Sequence, residues 1–303
     1  MIRCRKHPRP PPCLQRLQSS YPTEMSTSFN EMLRLVLITA ASGGSQNFLG
    51  ARWVAGSLRI VPRRFKRPVA LRLLHVSPHY FYRTKANANL ANPDFLESEY
   101  RRNLESRKLI IDGLISNYLK PEFVCLDYGC GPGFLAQAVA PRVAQVIACD
   151  ISPGVLVCAE TLNSARNIEY RAIAADGEIP AGEGKVDFIY SFAVFQHLTD
   201  KVLRRTLHEF KRVMKPGGMA VCHVVIDGTE GWKPESVWRE DKTLRGRLKW
   251  KIGMHCFSRS PNALEGLISE AGLKLHRIVP ISDLGVDLAG VGVEEQHLCV
   301  LTQ

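Results

Sequence analysis

The chain has 303 residues, 45% of them hydrophobic and 23% charged, an ordinary balance for a globular protein that excludes a largely disordered, collagen-like or coiled-coil chain. No apolar run approaches the ~18–20 residues a bilayer-crossing helix requires, and the longest, Leu35–Ala41, has Arg34 beside it. The net charge of +11 is unevenly spread: residues 1–85 hold fifteen Lys/Arg against only Glu24 and Glu31, whereas residues 86–303 hold 25 basic and 27 acidic residues. The basic character therefore belongs to the N-terminal part and gives the body little attraction for phosphate.

Residues 1–90 read as a basic, poorly ordered N-terminal extension. Pro8 and Pro10–Pro12 break any early helix, and Arg-rich, acid-poor sequence follows. Such a leader resembles an organellar transit peptide. The alternatives are a segment for anionic lipid surfaces and a start codon taken too far upstream, since Met25 and Met32 follow. The nine cysteines lack any C-x-x-C pair, and several sit in apolar runs such as Phe123–Leu126 and Val146–Cys149. That pattern fits buried thiols in a reducing compartment better than disulfides or a structural metal. A cytoplasmic location is expected, or a mitochondrial one if the leader is a transit peptide.

Residues 91–303 form one domain. Residues 95–119 are periodic as a helix, with Leu96, Tyr100, Leu104, Ile111 and Tyr118 along one stripe. Strands and helices then alternate. The strands are expected at Phe123–Asp127, Gln145–Asp150, Ile168–Ile173, Asp187–Ser191, Met219–Ile226, Leu273–Pro280 and Gln296–Leu301. Helices are expected at Phe134–Ala140 and Gly154–Asn163, in a segment capped by Asp200, and after Ser260-Pro261. Alternation of this kind predicts an α/β, Rossmann-like, doubly wound and mostly parallel sheet. Between the last two strands lies only Ile281–Glu295, which permits an antiparallel return.

The chemistry is concentrated in Asp127-Tyr128-Gly129-Cys130-Gly131-Pro132-Gly133, between the first strand and its helix. Glycines let such a turn adopt unusual dihedrals and let a ligand approach the backbone, and in a doubly wound sheet the turn lies where ligands bind. Asp150 ends the second strand, 23 residues after Asp127, a spacing suited to accepting ribose hydroxyls. Asp176 follows the third strand. The glycine spacing departs from the G-x-G-x-x-G of dinucleotide folds, and an acid two residues before the first glycine suits a cationic ligand better than a pyrophosphate. A nicotinamide oxidoreductase is therefore the weaker reading.

With these residues the chain resembles a class I S-adenosylmethionine-dependent methyltransferase of the small-molecule, type 11-like branch. The resemblance rests on Val124–Gly133, Ile147–Ser152, Ala175–Ile179, Val186–Leu198 and Phe210–Val221. It implies a seven-stranded sheet with the last strand antiparallel, and S-adenosylmethionine as cofactor. It also implies roles: Asp127, Gly129, Cys130, Gly131 and Gly133 around the methionine portion, Asp150 on the ribose, and Ile151 beside the adenine. Asp176 and Gly177 fall near the adenine amine, and Ser191 and Phe192 face the cofactor.

Methyl transfer relies on proximity and alignment, with a base where the acceptor carries a proton. His197 is the candidate base, ahead of His255, His223 and Tyr100. Residues 227–257 are long for a connection and read as a lid over the acceptor. They hold Trp232, Trp238 and Trp250, and Lys242, Arg245, Arg247, Lys249 and Lys251 crowd one stretch without an acid. An anionic or lipid-like small molecule is the expected acceptor. A nucleic-acid acceptor is disfavoured, because Ser191-Phe192-Ala193-Val194 stands where amino-methylating nucleic-acid enzymes carry N/D-P-P-Y/F, and no Pro-Cys nucleophile is present. A cofactor-binding scaffold without turnover is the non-catalytic alternative.

Overall fold

The computed structural model describes residues 49, 52–77, 93–228, 232–251, 253, 255–284 and 296–303. Of residues 1–90, on which the leader, lipid-segment and start-site readings rest, residues 1–48, 50, 51 and 78–90 lie outside them. No helix among the described residues is long and apolar enough to cross a membrane.

Seven strands form one sheet: β1 (Val124–Tyr128), β2 (Gln145–Asp150), β3 (Ile168–Ala172), β4 (Val186–Ser191), β5 (Met214–Val225), β6 (Lys274–Pro280) and β7 (Gln296–Thr302). Their order is β3-β2-β1-β4-β5-β7-β6. The pairs from β3 to β5 are parallel; β7 is antiparallel to both neighbours, as the short final connection permitted and the resemblance implied. The central strands are apolar along their length because helices cover both faces.

Helix α3 (Pro93–Ile110) continues into a π turn at Ile111–Ile115 and a 3-10 turn at Ser116–Tyr118, so the single long helix expected there changes winding at its end. Its last turns, α4 (Phe134–Val139) and α5 (Pro153–Leu162) cover one sheet face through Ile111, Leu114, Val139 and Leu156. The other face is covered by α6 (Asp200–Val213) and α9 (Pro261–Glu270), which contribute Leu203, Leu207, Phe210, Leu264 and Ile268. The cap of α6 is Thr199, whose hydroxyl accepts the Val202 N–H at 3.4 Å; Asp200, expected as the cap, is the first helical residue. Two short helices, α7 (Glu235–Glu240) and α8 (Leu244–Lys251), lie between β5 and α9.

The structure differs from the sequence reading in the N-terminal part. Residues assigned to an unordered extension form α1 (Arg52–Ile60) and α2 (Arg63–Val76). Val54, Ala55 and Leu58 of α1 and Ala70, Leu71 and Leu74 of α2 are buried with Leu49 against Val155, Val157, Cys158 and Leu162 of α5. The physical reason lies in α5, whose sequence PGVLVCAETL is apolar almost all round. A helix of that kind must be covered on both sides: Leu156 meets the sheet cluster, and α1 and α2 roof the rest. The approach is close enough that a Cβ on Gly154 would stand 2.5 Å from the Leu49 carbonyl oxygen. Arg67 fastens α2 to α3 through two bonds to Glu97, Nη2–Oε1 at 2.6 Å and Nε–Oε2 at 3.2 Å.

Candidate functional site

The β1–α4 turn folds back on the neighbouring strand. The Gly129 and Cys130 N–H groups both donate to the Cys149 carbonyl, at 2.8 and 3.0 Å. Gly129 and Gly133 hold φ of +74° and +77°, the left-handed region that favours glycine. Space closes the same positions. A Cβ at Gly129 would lie 2.4 Å from Val194 Cγ2, and one at Gly133 would lie 2.5 Å from the Tyr170 hydroxyl.

Two buried carboxylates stand at this turn. Asp150 accepts the Gly131 N–H on Oδ2 at 3.0 Å and the Ser152 N–H on Oδ1 at 2.9 Å. Burial nevertheless pushes its pKa up to about 6, against the lowering effect of those backbone donors. Asp127 is only 1% exposed, and neither of its oxygens has a hydrogen-bond partner. Burial holds its carboxyl well above the usual range; the Ala136 N–H and the Tyr190 hydroxyl lie near without completing a hydrogen bond and work against it, and the Asp150 charge adds to it. Tyr190, level with Asp127 on β4, also has an unpartnered buried hydroxyl. Buried polar groups carry a large cost unless matched. An orphaned carboxylate beside a glycine turn is matched by an ammonium group, so the residues present fit the methionine end of S-adenosylmethionine.

The other predicted positions divide into two groups. Cys130 is buried in the turn, with its thiol pushed well up by burial, and Ile151 stands 56% exposed just beyond β2. Ser191 Oγ donates to the Tyr128 carbonyl at 2.9 Å, joining the ends of β4 and β1, and Phe192 stacks on His223 at 4.4 Å. Asp176 and Gly177 instead lean on α6: the Asp176 carbonyl accepts from the Arg205 guanidinium, and the Gly177 backbone approaches the Arg205 side chain. The Asp176 carboxylate takes the Glu178 N–H at 3.1 Å.

The candidate bases separate by their hydrogen bonds. His223 accepts the Ala193 N–H on Nδ1 at 3.2 Å and faces Gln296 Oε1 with Nε2, so both nitrogens are occupied. Burial lowers its pKa to about 4. The Tyr100 hydroxyl bonds Asn163 and the Leu162 carbonyl beneath the turn. The His255 ring stacks on Trp250 at 4.6 Å. His197 Nδ1 lies 2.9 Å from the His255 carbonyl, which only accepts, so Nδ1 carries the proton and the lone pair sits on Nε2, facing the Gln196 side-chain amide at 3.3 Å. Burial lowers the His197 pKa, which favours the neutral ring.

The connection after β5 is tied to the same loop. The Phe257 N–H donates to the Gln196 carbonyl at 2.6 Å. Arg259 reaches the Phe195 and Leu198 carbonyls and pairs with Asp200 at 2.8 Å. The Trp238 indole donates to the Cys256 carbonyl at 2.7 Å. Arg245 is half-buried with its Nε unpartnered, while Arg247 is exposed.

Sequence reasoning missed Tyr190, Val194 and Asn163. Asn163 Nδ2 donates to the Pro132 carbonyl at 3.0 Å and the Tyr170 hydroxyl at 2.7 Å, bracing the turn from α5. Only the position of Tyr190, one residue before Ser191 on β4, offered a signal; the other contacts cross between distant segments.

A seven-stranded sheet of this order, with a glycine turn after β1 and an acid ending β2, is the arrangement that the resemblance to class I methyltransferases implied. Residues 126–222 match the family model described as a methyltransferase domain. The ubiquinone biosynthesis O-methyltransferase of Cereibacter sphaeroides is 30% identical over 153 residues, which cover 49% of this chain and 59% of that relative. The biotin biosynthesis bifunctional protein BioHC of Cellvibrio japonicus is 36% identical over 108 residues, 34% of this chain and 20% of that protein. The alignment thus spans little more than half the length of the first of these curated relatives. Among solved structures, a methyltransferase in complex with the Haloferax volcanii Trm112 activator shares the fold. Its TM-score is 0.50 at 18% identity, and the match covers 67% of this chain and 92% of that one. Residues 126–222 thus match a methyltransferase domain, within a fold shared with a solved methyltransferase.

Proposed function

We propose that the protein transfers the methyl group of S-adenosylmethionine to a hydroxyl of a small, largely apolar acceptor. The observation that carries this reading is the Asp127 carboxylate, buried and unpartnered beside the glycine turn. In this reading Asp127 takes the cofactor's ammonium group, and Gly129, Cys130, Gly131 and Gly133 let its methionine portion lie on the backbone. Asp150 accepts the ribose hydroxyls through its remaining lone pairs. Ile151 packs on the adenine, Asp176 and Gly177 lie at its amine, and Ser191 and Phe192 face the sulfonium. The cofactor supplies an activated methyl group, so the protein's part is alignment and proton removal. His197 Nε2, whose lone pair faces the Gln196 amide at 3.3 Å, takes the acceptor's proton when the acceptor displaces that contact. The connection over residues 232–257 encloses the acceptor with Trp232, Trp238 and Trp250, and Arg245 meets an anionic group on it. The curated ubiquinone biosynthesis O-methyltransferases support a hydroxyl on a lipid-like ring as the acceptor.

Tritiated methyl transfer from S-adenosylmethionine into a cell extract tests the reading and supplies the acceptor. Tight binding without transfer leaves the scaffold alternative. Asp150→Ala should weaken cofactor affinity about 10–150-fold, the range expected for hydrogen bonds to a charged group. The pH dependence has a defined sign. Asp150 is raised in the folded chain, so the stability its neutral form contributes is complete below 3.8 and lost as pH rises through about 6. A ribose bound to the carboxylate favours the ionised form. Cofactor affinity, measured by calorimetry, should therefore fall as pH drops below about 6, by up to about tenfold per unit. Affinity unchanged between pH 7 and 5 would show that the ribose is held elsewhere.

A further inference from the structure

Helices α1 and α2 roof α5, and what they turn outward is unusual. On α1 the buried positions are Val54, Ala55 and Leu58. At 100° per residue the opposite side carries Trp53 and Ile60, seven residues apart and on one stripe, and they are 58% and 83% exposed. On α2 the buried positions are Ala70, Leu71 and Leu74, and the opposite side carries Phe65, 48% exposed, with Arg72 seven residues on. Both helices pack on α5, so the sides turned away from it look the same way. Exposed Arg59, Arg64 and Arg72 share this surface, and the Arg64 guanidinium sits 4.7 Å from the centre of the Phe65 ring. Residues 52–76 contain neither Asp nor Glu. The nearest acid in contact, Glu97 on α3, is taken up by Arg67 at the inner edge.

We propose that the outer face of α1 and α2 docks the protein on an anionic lipid surface. Three observations favour a bilayer over other polyanions. Large apolar side chains gain free energy only where hydrocarbon receives them, and nucleic acid offers none to Ile60. Aromatic rings and arginines together suit the level of the lipid headgroups. The charge is of one sign across the face, which complements an anionic leaflet and falls off within a Debye length. The docking face is also rigid, because the opposite sides of both helices are part of the core. The inference is independent of the identity of the methyl acceptor.

Co-sedimentation of the full chain with vesicles tests this. The probes are phosphatidylcholine alone and phosphatidylcholine with added phosphatidylserine, at low and high salt. Binding should require the anionic lipid and weaken with salt. Each arginine near such a surface is worth about a fivefold change in partitioning, so the triple variant Arg59→Gln/Arg64→Gln/Arg72→Gln should lose on the order of a hundredfold. The variant Trp53→Ser/Ile60→Ser/Phe65→Ser should also lose binding, and it should do so at high salt as well as low. Both variants change exposed positions, and unchanged calorimetric affinity for S-adenosylmethionine shows that they fold. Wild-type partitioning by either variant, or binding indifferent to the anionic lipid, overturns the proposal. A chain that ignores vesicles altogether overturns it as well and leaves a protein partner for this face.

Discussion

Two crossover helices of similar standing in the sheet carry opposite surfaces. Helix α6, DKVLRRTLHEFKRV, buries Leu203, Thr206, Leu207, Phe210 and Val213 and keeps Lys201, Arg204, Arg205 and Lys211 exposed. Helix α5, PGVLVCAETL, buries seven of its ten residues and carries a single charge, on Glu160. The first needs one neighbour, the sheet; the second needs two, and α1 and α2 are the second. The difference shows that a helix apolar all round in the middle of an α/β domain announces a further layer. That layer came from a segment whose positive charge obscured its amphipathic pattern.

A buried charge should separate the two helices most. Val155→Asp, at a fully buried position of α5, should cost about 3–5 kcal/mol, the range for an uncompensated interior charge. Val202→Asp, 45% exposed in the first turn of α6, should stay within about 0.5 kcal/mol, helped by the helix N-terminus. Urea unfolding of the two variants checks this, and equal losses would mean that α1 and α2 do not seal α5. Glycine substitution sharpens the contrast at smaller scale. Gly154→Ala drives a methyl group into the Leu49 carbonyl and should cost about 1–3 kcal/mol. Gly266→Ala in α9, where nothing lies within 4 Å of the added carbon, should stabilise by about 0.5–1 kcal/mol. Opposite shifts in melting temperature are the expected outcome. The smallest effect belongs to the ion pair at the edge of the layer. Arg67→Met removes a partly exposed contact with Glu97 and should cost about 0–1 kcal/mol. A loss of several kcal/mol would make that pair, and not apolar packing, the fastening of α2.

The parts of the site that could be read in advance are those set by neighbours in sequence. Gly129, Gly131 and Gly133 take positive φ within one turn, and Asp127 and Asp150 end adjacent parallel strands, so motif spacing was enough to find them. Asp176 was also visible at a strand end, but its tie to Arg205 on α6 was not. The roles of the histidines were hidden for the same reason. His197 and His223 look alike as residues near the sheet's ligand edge; a carbonyl contributed by His255 and a side chain contributed by Gln296 give them different hydrogen-bond states.

The sequence by itself determined the seven strands, the glycine turn and the acids that flank it. These follow from periodicity and from dihedral demands that act over a few residues. Only the tertiary structure decided that α1 and α2 belong to the body, that Asp127 is sealed without a partner, and which nitrogen of His197 bears a proton. Burial and hydrogen bonding are set by surfaces that meet from distant parts of the chain, and no local pattern encodes which surface arrives.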